Sequence, residues 1–300
     1  MSTLTIAPAG HTGPSTRSWV PRDRTILLVA PAVIFLLAFF IYPFAYGFVL
    51  SFLPNEGGWL ANYEKFFSDA FLWRTLIITF QLALPVTILN VGLALPIAFQ
   101  LRRKTRYQWW VTMFLVIPIT LGTVLIAEGM LTYFGPKGWL SQALQLLHIY
   151  DGPIRLTHNF AGVVISLVIS GFPFCFLLTL SYVTGIDPTL ARAAATLGAN
   201  PWQQFRQIYL PLLAPGLAIT FCLAFVQAFS VFPSAVLVGA PSGSTRVISL
   251  AAYEAAFEQY DYSMASAVAM IMGFAQLIVV VLVLAARRGF YTGPVTGAKG

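Results

Sequence analysis

The chain has 300 residues, 58% of them hydrophobic and 9% charged. Soluble domains carry about 25% charged residues, so a water-soluble globule is excluded and lipid is the solvent for most of the surface. The formal charge of +7 points to nucleic acid only if it gathers on one accessible face, and its distribution along the chain argues against that.

Residues 1–24 are polar and rich in Gly, Pro, Ser and Thr, and are expected to form a flexible tail. The apolar run from Thr25 to Phe52 exceeds the ~7–15 residues of a signal-peptide core and lacks a small-residue cleavage site, so it is expected to stay as an anchor. Helices long enough to cross ~30 Å of hydrocarbon are predicted near 26–48, 76–100, 109–133, 159–182, 212–235 and 264–286. Pro43, Pro85, Pro118 and Pro173 fall inside them and predict kinks, since neighbouring helices re-satisfy the freed carbonyls. The fold class is therefore an all-α membrane protein with six transmembrane helices. Residues 25–290 form the membrane domain, and a short tail follows at 291–300.

The basic residues set the orientation. With the N-terminus in the cytoplasm, twelve Lys and Arg lie inside (Arg17, Arg22, Arg24, Arg102, Arg103, Lys104, Arg106, Arg192, Arg206, Arg287, Arg288 and Lys299) and five outside. The inside net charge is +10 and the outside −2. The surplus charge thus reports topology, with both termini cytoplasmic, and no nucleic-acid partner is expected. Cys175 and Cys222 sit within apolar runs and read as reduced packing residues. His148 and His158 have no metal-ligand company.

The stretch from Asp187 to Pro215 carries the most information. Asp187-Pro188 opens a helix, because Asp caps the first turn and Pro fits its first position. An alanine-rich run to Leu197 follows, Gly198 stops it, and Asn200-Pro201 opens a second helix, Trp202 to Tyr209, which Leu210-Pro211 is expected to end. From pattern alone, this is either a rigid helix–turn–helix presented to the cytoplasm or an amphipathic pair lying on the bilayer.

The spacing resembles the signature loop of binding-protein-dependent ABC importer permeases: Glu-Ala-Ala, three residues, Gly, nine residues, Ile, any residue, Leu-Pro. Ala193 and Ala194 match the alanines, Gly198 the glycine, Ile208 the isoleucine, and Leu210 and Pro211 the end; Ala199 and Phe205 are flanking likenesses. Arg192 stands at the glutamate, a reversal of charge. The resemblance extends over 25–290, and residues 256–267 look most like the spermidine/putrescine branch, with phosphonate, iron and thiamine branches similar in wording.

The resemblance implies that 187–211 is a cytoplasmic coupling loop between helices 4 and 5. It also implies two separate ATPase subunits, which carry the ATP and Mg, a second permease chain and an external substrate-binding protein, in a bacterial-type inner membrane. No cofactor is expected in this chain. It has no GxxxxGK[ST] phosphate loop, which argues against an enzyme. Helix count alone also admits a secondary transporter or channel.

Glu128 is the only acid expected at membrane depth. A carboxylate there costs about 2.5–3.5 kcal/mol on insertion scales, so it is a pathway or gate group for a cationic substrate, part of a structural pair with another helix, or near enough to the outer interface to be wet. Gln227, Ser230 and Ser234 fall at helical spacing and either line the pathway or bond between helices. Glu254, Glu258 and Asp261 form an outer acidic group, either a docking patch or a solvated face.

Overall fold

The computed structural model describes residues 25–102, 106–135, 138–147 and 157–290. The expected tails 1–24 and 291–300, part of the basic turn after the second span, and His148 lie outside them. Six helices among the described residues are long and apolar enough to cross a membrane, and no strand is formed.

The chain divides into two units at Tyr46–Gly47. The first is a single helix in which Thr25–Leu36 passes into a π-helical turn, Leu37–Ile41, before α-helix resumes at Tyr42. Its residues from Val29 to Tyr46 are exposed on nearly every side. A helix apolar all round needs lipid or another chain around it.

The second unit packs the remaining five spans. These are Ala70–Gln100, Arg106–Phe134, Phe160–Thr184, a continuous helical run from Pro201 to Phe229, and Tyr262–Phe290, here called spans two to six. Span two begins at Ala70, six residues before the expected start, because Asp69 caps it by accepting the Phe71 amide (2.8 Å). Span five departs further from expectation. It ends at Phe229, and Pro233–Leu237 forms a separate short helix, so the predicted single helix 212–235 is broken at Ser230–Phe232.

The prolines are accommodated in two ways. Pro43 and Pro211 each follow a π turn, Leu37–Ile41 and Phe205–Tyr209. The wider turn places its register shift where the ladder loses a donor anyway. In span three, Gly122 takes φ 73° and ψ 168° four residues past Pro118, a kink that only glycine adopts without strain. Thr120 Oγ donates to the Ile117 carbonyl beside it (2.8 Å).

The core lies where spans two, four, five and six meet, around Phe66, Leu82, Val86, Val163, Phe225 and Phe229. A second cluster, Ala98, Phe176, Val183, Tyr209 and Leu213, closes the end that carries residues 187–200. At the opposite end, Asn62 Nδ2 donates to Ser263 Oγ (2.7 Å), and Ser263 Oγ donates to the Leu53 carbonyl (2.6 Å). Thr79 Oγ accepts the amide of Ile248 (2.9 Å), capping the helix Ile248–Tyr253 from a neighbouring span. Cys175 and Cys222 are free and buried, as expected.

With no hydrophobic drive between helices in lipid, close approach depends on small residues. Gly216 is such a point: a Cβ there would lie 2.5 Å from the Tyr182 ring. Gly216→Ala is expected to force spans four and five apart at a cost of about 1–3 kcal/mol. Thermal unfolding of the detergent-solubilised chain checks this, and an unchanged midpoint would contradict the packing.

Candidate functional site

The segment between spans four and five is held by its own caps. Asp187 Oδ1 accepts the Thr189 amide (2.8 Å) and Pro188 takes the first position of the helix Pro188–Thr196. That hydrogen bond, ahead of a small contribution from Arg192, holds the Asp187 carboxyl below the usual range, so it stays ionised at the helix N-terminus. The helix stops at Gly198, with φ 86°. The amides of Leu197 and Ala199 both return to the Ala194 carbonyl (3.1 and 3.0 Å). A reciprocal capping box then starts the next helix: Asn200 Oδ1 accepts from the Gln203 amide and Gln203 Oε1 from the Asn200 amide, each at 2.8 Å. Gln204 Nε2 closes the corner on the Ala199 carbonyl (2.9 Å).

Pro211 does not end the second helix, contrary to the sequence expectation. The run Pro201–Gln204 passes through the π turn Phe205–Tyr209 into Leu210–Phe229 without a break, the Leu210 amide reaching back to the Phe205 carbonyl. A proline in the first turn after a wide turn forfeits little, because the donor it lacks has no ladder partner there. This continuity shows that the second helix is not a separate element. The segment is a short helix hinged at Gly198 to an extension of span five.

Packing fixes that extension. The Phe205 and Tyr209 rings stack edge-on against Phe99 of span two, with centroids 4.8 and 5.0 Å apart. Of the predicted coupling residues, Ala194, Ala199, Phe205 and Ile208 are half-buried, while Arg192, Ala193, Gly198, Leu210 and Pro211 are exposed. Two apolar side chains outside the motif also project outward: Leu197 is 90% exposed and Trp202 67%. Neither would be predicted from helical periodicity, since both flank the glycine corner.

The expected pathway residues do not form one row. Glu128 is exposed on span three, and its carboxylate has no partner among the described residues. Gln227 and Ser230 are exposed at the end of span five, and Ser230 Oγ accepts from Gln276 Nε2 of span six (2.8 Å). Ser234 lies beyond the helix break, 1% exposed, and accepts from Ser166 Oγ (3.0 Å). It bonds between helices. Gln276 was missed because a lone amide in an apolar run gives no periodic signal.

The acidic group is also divided. Glu254 pairs with Arg246, whose guanidinium lies 3.5 Å over the Phe71 ring, and Asp261 accepts the Met264 amide (3.0 Å). Residues 254–258 form a π turn, so Glu254 and Glu258 are not one α-helical turn apart. Glu258 alone remains exposed without such a partner.

Residues 57–289 match the model of the family described as the binding-protein-dependent transport system inner membrane component. The chain belongs to this family. It is thus a permease component of an ABC importer. The permease is 26% identical over 262 residues to the trehalose transport system permease protein SugA of Mycobacterium tuberculosis, covering 84% of each chain. It is 28% identical over 224 residues to the spermidine/putrescine transport system permease protein PotB of Haemophilus influenzae, covering 70% of this chain and 77% of PotB. Its fold matches a chain of a bacterial ABC transporter for the import of alginate with a TM-score of 0.76, at 22% identity, over 88% of the permease and 96% of that chain.

The glycine corner predicts a graded response. A Cβ at Gly198 meets nothing within 4 Å, so the strain of a substitution comes from its φ alone. Gly198→Asn, which tolerates this region, is expected to leave hydrogen exchange over 193–204 nearly unchanged. Gly198→Val is expected to cost about 1–3 kcal/mol and raise that exchange. Equal exchange in both variants would contradict the left-handed corner.

Proposed function

We propose that the permease forms half of a translocation pathway and is driven by a separate ATPase subunit that docks on residues 187–211. The observation that carries the reading is mechanical: a doubly capped element, with Leu197 and Trp202 exposed at its corner, continues through Phe205–Tyr209 into span five. Exposed apolar side chains on a rigid corner are what a partner buries. Closure of two ATPase subunits around ATP and Mg would displace this corner, and span five would move with it. The chemistry of this chain is then the differential stability of two conformations, with no covalent step.

The same reading places both termini and the 187–211 corner in the cytoplasm, on the basic-residue distribution, in a bacterial-type inner membrane. A second permease, related but different, would cover the exposed first helix and the face carrying Glu128. An external binding protein would deliver the solute at the far end.

For the substrate, Glu128 favours a small organic cation such as a polyamine. It is an unpartnered carboxylate within a span, and leaving it against lipid would be costly. The relative PotB, named for spermidine/putrescine, is consistent with this. A second reading, a neutral sugar, is favoured by the exposed Gln227 and Ser230 with the half-buried Gln276 beside them, and by the relative named for trehalose. Other relatives are named for sulfate and ferric transport, so the names alone do not choose.

Two measurements follow. Leu197→Asp and Trp202→Ala should release the ATPase during purification while the chain still inserts, and full retention in both would end the docking proposal. Glu128→Gln should cut uptake of an organic cation about tenfold or more, the loss expected for a charged hydrogen bond. Polyamines ignored and a disaccharide carried equally by wild type and Glu128→Gln would replace the cation reading with the sugar one.

A further inference from the structure

Between the helix Pro188–Thr196 and the span ends lies an open cleft of about 510 Å³. Arg102, at the end of span two, and Arg192 both line it, with Thr184, Gln204 and Tyr209. None of the lining residues is acidic. The one ion pair among the described residues joins Arg246 and Glu254, far along the chain in another loop. The nearest acid in sequence, Asp187, has a carboxylate oxygen committed to the Thr189 amide. Two guanidinium groups, which stay charged at any physiological pH, therefore border one cavity that no acid lines, and Asp187 outside it acts only weakly on Arg192.

Arg102 is already oriented. Its guanidinium lies 3.9 Å over the Phe99 ring, and Nη1 donates to the Phe99 carbonyl (2.7 Å). A guanidinium has five N–H donors, so this fixes the group and leaves donors for a ligand. Arg192 is carried on the face of its helix formed by Pro188, Ala191 and Ala195, which all line the cleft at spacings of three and four residues. Leu190, Ala193 and Leu197 occupy the opposite face, so a protein seated on that face leaves the cleft open.

The level of the cleft identifies what reaches it. Span two has 31 residues, which at 1.5 Å per residue is about 46 Å. The bilayer measures ~40–45 Å with its headgroups and ~30 Å without. Arg102, two residues past Gln100, therefore stands at headgroup depth, with Phe99 and the buried Tyr209 packed together behind it. We infer that this cleft binds a phosphate group, presented by an anionic phospholipid of the leaflet at this end of the bundle. Arg102 and Arg192 hold it, and the headgroup braces the Pro188–Thr196 helix against spans two, four and five. Basic pockets at the ends of spans are suited to such headgroups.

The test uses the full chain in nanodiscs of phosphatidylcholine, with and without phosphatidylglycerol, followed by thermal unfolding and native mass spectrometry. Phosphatidylglycerol should raise the unfolding midpoint of the wild type and leave a retained lipid adduct. Arg102→Gln with Arg192→Gln should weaken that response about tenfold or more. Arg106→Gln with Arg206→Gln, which removes as much charge at the same end but does not line the cleft, should keep it. A parallel arm adds inorganic phosphate to phosphatidylcholine discs. A response there that the cleft variant also loses keeps the phosphate site and changes its source from lipid to free ion. The inference is overturned if neither phosphate source shifts the midpoint, or if both double variants lose the response equally. The second result would mean that only net charge is being read.

Discussion

A backbone carbonyl without a donor inside hydrocarbon costs several kcal/mol, and this chain places Pro31, Pro43, Pro85, Pro96, Pro118, Pro173 and Pro215 within its spans. How the freed carbonyls are managed shapes much of the molecule. Span three bends where Gly122 leaves the helical region, and π turns precede Pro43 and Pro211. Hydroxyls act at the same level: Thr79, Thr87 and Thr220 each bond a carbonyl one turn back in their own helix (2.7, 2.7 and 3.0 Å). These bonds satisfy the hydroxyl donors within their own helices, and Thr79 still accepts the Ile248 amide from outside its span.

The same constraint links the fold to the proposed function. Had Pro211 broken the chain, residues 187–211 would be an appendage tethered by a flexible joint. Because the π turn carries the helix past it, the glycine corner is continuous with span five, and Phe205 and Tyr209 also tie that extension to Phe99 of span two. The far end of that span is equally defined: it stops at Phe229, Ser249 Oγ donates to the Val231 carbonyl, and Ser230 meets Gln276 of span six. On the proposed coupling, a push at one end would reach the polar residues at the other through one rod.

Much of this was legible in the residues. Six apolar runs gave the six spans, because a 20-residue apolar stretch has few other uses, and Asp187-Pro188 and Asn200-Pro201 announced both caps through chemistry that is local in sequence. What escaped the sequence depends on partners distant in it. A π turn has no residue signature, so Leu210-Pro211 reads as a stop. Ser234 falls in register with Gln227 and Ser230 only if the helix continues, and the break at Ser230–Phe232 carries no glycine to mark it. The Arg246–Glu254 pair, with Arg246 over Phe71, takes one acid out of the outer acidic group, which no count of charges reveals.

The central claim is that Pro201–Phe229 moves as one rigid unit with the corner at Gly198. It is tested by spin labels at Gln203 and Leu223, both exposed, in a chain whose Cys175 and Cys222 have been replaced and which is assembled with its ATPase. Twenty residues of helix separate the labels by about 30 Å. The account predicts one narrow distance distribution near that value, the same in nucleotide-free and ATP-trapped complexes. A distribution that broadens, or shifts by several ångströms between the two states, would place a joint at Pro211 and contradict it.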